Sequence, residues 1–271
     1  MSRPVVALTI AGSDPSGGAG IQADLKTFSA LGAFGTSVIT ALTAQNTQGV
    51  TGVHVVPAAF VVEQLETLVS DVRLDAVKIG MLANAEVAAA VGGFLRAHPC
   101  PIVVLDPVMV ATSGDRLVED DAVEAIRALL PLSSVVTPNL AEAGVLLDAA
   151  PARNLAEMRS QAAALRLLDA SRVLLKGGHL EDGDEAVDVF AEGDAVVELR
   201  APRVRTVNTH GTGCTLSSAL AALRPQRESW TETAIDAKTW LTGALAAADV
   251  LEVGQGHGPV HHFHQMWSAS R

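Results

Sequence analysis

The chain has 271 residues, 49% of them hydrophobic, and its formal net charge at pH 7 is −11. It is long enough to bury a sizeable core in one large α/β domain or two small domains, which excludes a mainly disordered chain. A strongly negative chain with only 3% aromatic residues has little attraction for nucleic acid or anionic membranes, so neither is expected as a partner.

Short apolar runs alternate along the chain with longer segments of helical periodicity. The runs have strand length and are mostly β-branched: Val5–Ile10, Ser37–Leu42, Ala76–Ile79, Ile102–Leu105, Ser134–Val136 and Val173–Leu175. The helical segments are Ile21–Leu31, Phe60–Asp71, Glu86–Ala97, Asp121–Leu130, Leu155–Leu168, Thr215–Leu223 and Thr231–Leu251. Two further strands, Ala186–Phe190 and Ala195–Leu199, predict a β-hairpin. The alternation predicts a mainly parallel sheet covered by helices on both faces, in a single domain over residues 1–271.

Export and membrane insertion are not indicated. The two cysteines, Cys100 and Cys214, are too few for a disulfide framework. The apolar run Val5–Ile10 is shorter than the core of a signal peptide, and polar residues and glycines interrupt the charge-free stretch Thr27–Val62. These features predict a cytosolic protein.

Glycine-rich or polar segments follow five of the predicted strands. They are Gly12–Gly20, Gly80-Met81, Asp106–Met109, Thr137–Asn139 and Lys176–His179. In an open α/β sheet, ligands bind at the carboxyl ends of the strands. We therefore expect a binding site at this edge of the sheet.

The segment Asn208–Thr215 leads directly into a predicted helix. Its glycines allow the N–H groups of Gly211, Thr212 and Gly213 to point toward one phosphoryl oxygen at the helix N-terminus. Cys214 would lie at the positive end of the helix dipole, which predicts a lowered thiol pKa and a role as proton acceptor. A glycine-rich helix start with a buried small side chain is the alternative.

Two polar segments suggest a site for magnesium and phosphate. Asn139 and Glu142 can face one hydrated Mg²⁺, although the same spacing is typical of a helix capping box. Asp106 is a second carboxylate near the metal or a simple turn residue. Lys176 can neutralise phosphate charge or be an ordinary surface lysine.

The acceptor side of the site is less specific. Residues 12–20 match neither a dinucleotide fingerprint nor a P-loop, and they suit either close contact with a small molecule or a flexible connection. Asp24 can face the pocket or lie on a solvated helix face. The amide of Gln45 can donate and accept side by side, which matches the edge of an aminopyrimidine.

Two other segments are ambiguous. Residues 111–115 have the composition of a mobile lid, and an inert loop is equally consistent with it. His257, His261, His262 and His264 invite a zinc interpretation. Their spacing matches no established zinc site and no cysteine accompanies them, so we do not expect zinc.

As a set, these motifs resemble the ribokinase-like kinases, and within them the hydroxymethylpyrimidine/phosphomethylpyrimidine kinases of thiamine biosynthesis. The resemblance covers nearly the whole chain and rests on Ala11–Asp24, Ala44–Thr47, Lys78–Met81, Asp106–Met109, Thr137–Asn139 with Glu142, Lys176–His179, His210–Cys214 and the ending Gly258–His264. Cys214 stands where the wider superfamily usually has Asp. That departure is shared with the related pyridoxal kinases.

The resemblance implies a three-layer α/β/α sandwich with a small β-hairpin. It also implies phosphorylation of hydroxymethylpyrimidine and then of its monophosphate, with ATP and Mg²⁺. The implied roles are an anion hole at Gly211, Thr212 and Gly213, with Cys214 as base; a pyrimidine pocket of Gly12, Asp24, Gln45, Met81 and Val108; nucleotide contacts by Lys176 and Asn139; and a metal network at Glu142 and Asp106. Pyridoxal kinase activity and a non-catalytic regulator are the alternatives. A homodimer is common in the family, and the sequence leaves the oligomeric state of this chain open.

Overall fold

A computed structural model describes residues 3–109, 120–178, 180 and 183–267. Its sheet has nine strands in the order β3-β2-β1-β4-β5-β6-β7-β8-β9. The strands are β1 (Val5–Ser13), β2 (Ala33–Asn46), β3 (Gly49–Val55), β4 (Ala76–Ile79), β5 (Val103–Leu105), β6 (Val135–Val136), β7 (Arg172–Leu175), β8 (Glu185–Glu192) and β9 (Ala195–Pro202). The six strands from β2 to β7 in the sheet order are parallel, and antiparallel strands form both edges. This confirms the mainly parallel sheet.

Eight α-helices cover the sheet in the described part of the chain. They are α1 (Gly20–Ala30), α2 (Ala58–Val69), α3 (Ala85–Ala97), α4 (Asp120–Arg127), α5 (Leu140–Leu147), α6 (Leu155–Arg166), α7 (Thr212–Leu223) and α8 (Trp230–Ala246). Neighbouring strand residues point to opposite faces, so Val103 and Leu105 enter one core and Val104 enters the other. Helices α2 to α6 pack on the first face, and α1, α7 and α8 pack on the second. The three-layer sandwich is confirmed.

The edges of the sheet differ most from the sequence prediction. The predicted hairpin is present as β8 and β9, which pair over their whole length. Strand β2 is longer than predicted, and β3 was not predicted. The side chains of β3 are largely exposed, and the segment contains two glycines, so its sequence has no clear strand periodicity. Its backbone pairing with β2 makes it a strand. Helix α5 was anticipated only by its start at Asn139.

None of the helices in the described ranges is both long and apolar enough to cross a membrane. The candidate lid, residues 111–115, lies outside the described residues, as does His179. The single domain over residues 1–271 stays a prediction.

Candidate active site

Helix α7 begins at a turn whose geometry requires glycine. Gly211 adopts a left-handed conformation with φ of 77°, and a Cβ there would lie 1.8 Å from the carbonyl oxygen of Gly18. The N–H of Thr215 donates the first bond of the helical ladder, to the Gly211 carbonyl at 2.8 Å. The N–H groups of Gly213 and Cys214 therefore lie at the positive end of the helix. The predicted glycine turn at the helix start is present, but the N–H of Thr212 donates to the Thr209 carbonyl oxygen at 3.2 Å, so its predicted place in the anion hole is wrong.

A buried ion pair lies close to Cys214. The Nζ of Lys78 on β4 is 2.9 Å from both carboxylate oxygens of Asp24 on α1, and neither side chain is exposed. The hydroxyls of Thr9 and Ser218 also donate to this carboxylate, each at 2.6 Å. The solvated-face alternative for Asp24 is therefore wrong. Direct contact between Asp24 and a substrate stays a prediction.

The thiol of Cys214 is not activated in the way its position on the helix suggests. Burial raises its pKa to about 11, and Asp24 and Asp106 act in the same direction, whereas Lys78 and the N–H of Gly20 favour the thiolate. The lowered pKa predicted from the helix dipole is wrong, because desolvation outweighs the dipole. Asp24 raises the pKa of Lys78 although burial lowers it, so Lys78 carries a positive charge. This ammonium is the nearby cation that favours the thiolate form of Cys214.

Lys176, Asp106 and Glu142 form a charged cluster beside Gly213. The Nζ of Lys176 lies 2.8 Å from Asp106 Oδ1 and 3.8 Å from Glu142 Oε2. A Cβ at Gly213 would be 3.2 Å from the same Nζ, so the cluster borders the turn. The hydroxyls of Thr137 and Ser217 donate to Asp106, which is 1% exposed. The surface-lysine and simple-turn alternatives for Lys176 and Asp106 are wrong.

The capping box that the sequence offers as an alternative is present at the start of α5. The N–H of Asn139 donates to Glu142 Oε2 at 2.7 Å, and the N–H of Glu142 donates to Asn139 Oδ1 at 2.9 Å. Burial raises the pKa of Glu142 to about 7; Lys176 opposes this shift and Asp106 adds to it. The Glu142 carboxyl group therefore changes its charge near neutral pH, and the Lys176 ammonium beside it favours the charged form. Capping does not exclude a role near a metal.

An apolar pocket wall lies at the end of β1. A Cβ at Gly12 would lie 2.6 Å from Met81 Cε, so glycine allows this close packing. Met81 belongs to a small apolar cluster with Ala41, and Val108 packs against it. Three of the residues predicted to bind the pyrimidine, Gly12, Met81 and Val108, are thereby brought together.

Gln45 lies near the end of β2 and is half-buried. Its Oε1 accepts a hydrogen bond from Thr43 Oγ1 at 3.0 Å, and its Nε2 is 3.4 Å from His210 Nε2. Because Gln45 lies in a stretch without charged residues, its amide is expected to be buried, and the structure buries it only in part. The side chain keeps an exposed portion that a ligand can contact.

The sequence reasoning assigned no role to Asp14 and His210, although both lie in motifs that carry the family resemblance. His210 Nε2 is 2.8 Å from Asp14 Oδ2. Burial alone raises the pKa of Asp14, but hydrogen bonds from His210, Ser16 and backbone N–H groups lower it to about 2. Gly18 lies so close that a Cβ there would be 2.2 Å from the His210 ring. These contacts fasten residues 12–20 to the turn before α7, so the flexible-connection alternative is wrong.

We call Gly12, Met81 and Val108 the acceptor wall. Backbone contacts connect it to the charged cluster through Cys214 and Gly213. Residues Ser13 and Gly20 form a β-bridge that closes the loop beginning at Gly12. The N–H of Gly20 then interacts with Cys214, and the neighbouring Gly213 borders Lys176 and Asp106. A molecule on the acceptor wall and a phosphate at the cluster would therefore be separated by the glycine turn.

The C-terminal histidines make separate contacts. His262 Nε2 is 3.0 Å from Thr215 Oγ1, His257 Nδ1 is 3.1 Å from the Val207 carbonyl oxygen, and the ring of His264 packs near Trp240. In the parts of the chain that the structure describes, no three His, Cys, Asp or Glu side chains form a metal-binding group.

Comparison with known proteins identifies the family. The model of the phosphomethylpyrimidine kinase family matches residues 14–261. The chain belongs to this family. It is 59% identical over 263 residues to the hydroxymethylpyrimidine/phosphomethylpyrimidine kinase of Salmonella typhimurium, a match that covers 96% of the chain and 98% of that protein. This confirms the resemblance drawn from the motifs, and the chain is a kinase.

Two solved structures agree with the ribokinase-like fold. Pyridoxal kinase from Staphylococcus aureus, in complex with AMP-PCP and pyridoxal, has a TM-score of 0.90 at 32% identity and covers 98% of this chain and 96% of its own. Phosphomethylpyrimidine kinase from Clostridium difficile has a TM-score of 0.79 at 38% identity and covers 89% of this chain and 99% of its own.

Proposed function

We propose that this kinase transfers the γ-phosphoryl group of ATP to hydroxymethylpyrimidine and then to the resulting monophosphate, in thiamine biosynthesis. Family membership and the high identity to a kinase of that name support the proposal. The observation that carries it is that the glycine turn contacts the loop of residues 12–20 at Gly18 on one side and borders Lys176 and Asp106 on the other.

Phosphoryl transfer requires positioning and charge neutralisation more than covalent chemistry. In our proposal the wall of Gly12, Met81 and Val108 holds the pyrimidine. The N–H groups of Gly211 and Gly213 stabilise charge on the transferred group, whereas that of Thr212 already donates to a backbone carbonyl oxygen. Lys176 neutralises the nucleotide phosphates. Cys214 takes the hydroxyl proton as the bond to phosphorus forms, with Lys78 stabilising the thiolate.

The residues beside Lys176 fit a hydrated magnesium ion. Asp106 and Glu142 are buried carboxylates whose oxygens already accept hydrogen bonds from the protein, so contact through metal-bound water suits them. Mg²⁺ usually keeps several waters and needs one or two carboxylates when it binds with a nucleotide. The ion would supply positive charge to the phosphates. Asn139 would hold Glu142 in place through the capping box.

The Glu142→Gln variant tests this assignment. Glutamine keeps an oxygen for the Asn139 N–H but removes the charge, so we expect the Mg²⁺ concentration for half-maximal activity to rise about 10- to 100-fold. The carboxylate costs stability as pH rises from about 4.5 to about 7, because its pKa is higher in the folded chain. At pH 8 the melting temperature of the variant should therefore not fall below that of the wild type.

Glu157→Gln is the matched control. Glu157 is the third residue of α6, and its N–H donates to Asn154 Oδ1 as that of Glu142 does to Asn139. Its carboxylate accepts from the N–H of Arg153 and from the Asn154 side-chain amide, and it lies partly exposed outside the site. This variant should leave the magnesium requirement unchanged. A lower melting temperature for Glu142→Gln without any change in magnesium requirement would restrict Glu142 to a capping role.

A coupled assay of ADP formation tests the substrate. Hydroxymethylpyrimidine, its monophosphate and pyridoxal should be compared under the same conditions. We expect kcat/KM for hydroxymethylpyrimidine to exceed that for pyridoxal by at least about 10-fold, a difference of about 1.4 kcal/mol. Preference for pyridoxal would favour the alternative kinase, and no turnover with any acceptor would favour a regulator. The cytosolic location stays a prediction.

A further inference from the structure

A second buried ion pair lies outside the residues assigned to catalysis. Lys238 on α8 donates to Asp188 Oδ2 on β8 at 2.7 Å, and the two residues are 7% and 5% exposed. Burying a charged pair has a large desolvation cost, which its mutual attraction often only offsets. The pair therefore need not stabilise the fold, and the other hydrogen bond of Asp188 points to a different role.

The second oxygen of Asp188 holds the loop that follows β7. Asp188 Oδ1 accepts a hydrogen bond from the N–H of Gly177 at 2.9 Å. Gly177 is closely enclosed, since a Cβ there would lie 2.1 Å from the Val187 carbonyl oxygen and 2.7 Å from Met158 Cε. The backbone has little room to move at this point, and Asp188 fixes its polar group.

Gly177 directly follows Lys176. The hydrogen bond from its N–H to Asp188 therefore also limits the positions that the Lys176 side chain can occupy. On the other side, the N–H of Lys176 donates to the Pro138 carbonyl at 2.8 Å. The backbone of Lys176 is thus held from both directions, by Pro138 and by Asp188. With both anchors in place, its Nζ meets Asp106 at 2.8 Å beside the glycine turn.

We propose that Asp188 is a positioning residue for nucleotide binding, with Lys238 balancing its buried charge. Lys238 holds one carboxylate oxygen, the other fixes the N–H of Gly177, and Lys176 is thereby directed at the phosphates of ATP. This inference rests on the role of Lys176 in the proposed function. It extends the site to α8, which contributes no other residue to it.

Two double variants isolate the hydrogen bond to Gly177. D188N/K238M and D188L/K238M both remove the two charges, so neither leaves an isolated buried ion. Asn and Leu are similar in size, but only Asn keeps an oxygen for the Gly177 N–H. We expect D188L/K238M to raise the KM for ATP and the Kd for AMP-PCP about 5- to 150-fold. For D188N/K238M, the KM for ATP and the Kd for AMP-PCP should both stay within about 3-fold of the wild-type values.

The KM for the pyrimidine should change little in either variant, because Gly12 lies on β1, and Met81 and Val108 follow β4 and β5, away from β7 and β8. Equal ATP affinity in the two double variants, or an equal rise in both KM values, would overturn the proposal. D188V/K238M replaces the leucine variant if that protein does not fold, with the same expected result, since valine suits a strand.

Calorimetric binding of AMP-PCP separates this inference from the proposed function. A wild-type protein that binds AMP-PCP but phosphorylates no pyrimidine would refute the function and leave the positioning test intact. A wild-type protein with pyrimidine kinase activity, whose leucine variant binds AMP-PCP normally, would refute only the positioning role.

Discussion

We expect the Cys214→Ala variant to lose at least about 100-fold in kcat while its KM for hydroxymethylpyrimidine stays nearly unchanged. The substitution removes the thiol beside Lys78 and the N–H of Gly20 and leaves the acceptor wall of Gly12, Met81 and Val108 unchanged. Steady-state kinetics with the pyrimidine and ATP provide the measurement. Loss of a proton acceptor lowers the rate of the chemical step and leaves acceptor binding intact.

Cys100→Ala is the control for this experiment. Cys100 is the other free cysteine, it is half-buried, and its thiol donates to the Ile102 carbonyl oxygen at 3.5 Å, away from the site. Its variant should keep wild-type turnover. Wild-type turnover in Cys214→Ala as well would show that the proton leaves by another route.

The pKa of Cys214 makes a related prediction for alkylation by iodoacetamide. Because only the thiolate reacts and the pKa is about 11, the rate at Cys214 should rise about 10-fold per pH unit between pH 7 and pH 10. The helix dipole alone would predict fast alkylation at neutral pH. A rate that levels off below pH 8 would show that the dipole outweighs burial after all.

The Gln45→Leu variant should bind hydroxymethylpyrimidine about 5- to 150-fold more weakly, while its affinity for ATP is unchanged. Leucine keeps the approximate size of the side chain but leaves the donor and acceptor of the pyrimidine unpaired, at a cost of about 1–3 kcal/mol. Thr43 also loses the oxygen to which it donates. Titration calorimetry with each ligand measures both affinities.

Gln48→Leu provides a matched control two residues beyond β2. Its side chain is exposed, so the same substitution there should leave the affinity for the pyrimidine unchanged. If Gln45→Leu and the wild type bind the pyrimidine equally, the Gln45 amide does not recognise the ring. The selectivity for the pyrimidine would then have to come from the wall near Met81.

Much of the architecture could be predicted from periodicity alone. The predicted segments Glu86–Ala97 and Leu155–Leu168 coincide closely with α3 and α6, because their apolar faces repeat at helical spacing. Parallel strands buried on both faces appear as continuous apolar runs, as Val173–Leu175 does. The edge strand β3 lacks such a pattern, and only its pairing with β2 makes it a strand.

The sequence by itself determined the fold class and the family, because these depend on local patterns and on motifs read residue by residue. Tertiary structure alone decided which charges are paired. Lys78 and Asp24 are 54 residues apart, and Lys238 and Asp188 are 50 apart, so no local pattern predicts either pair. It also decided the pKa of Cys214, because desolvation depends on every element that packs around the thiol.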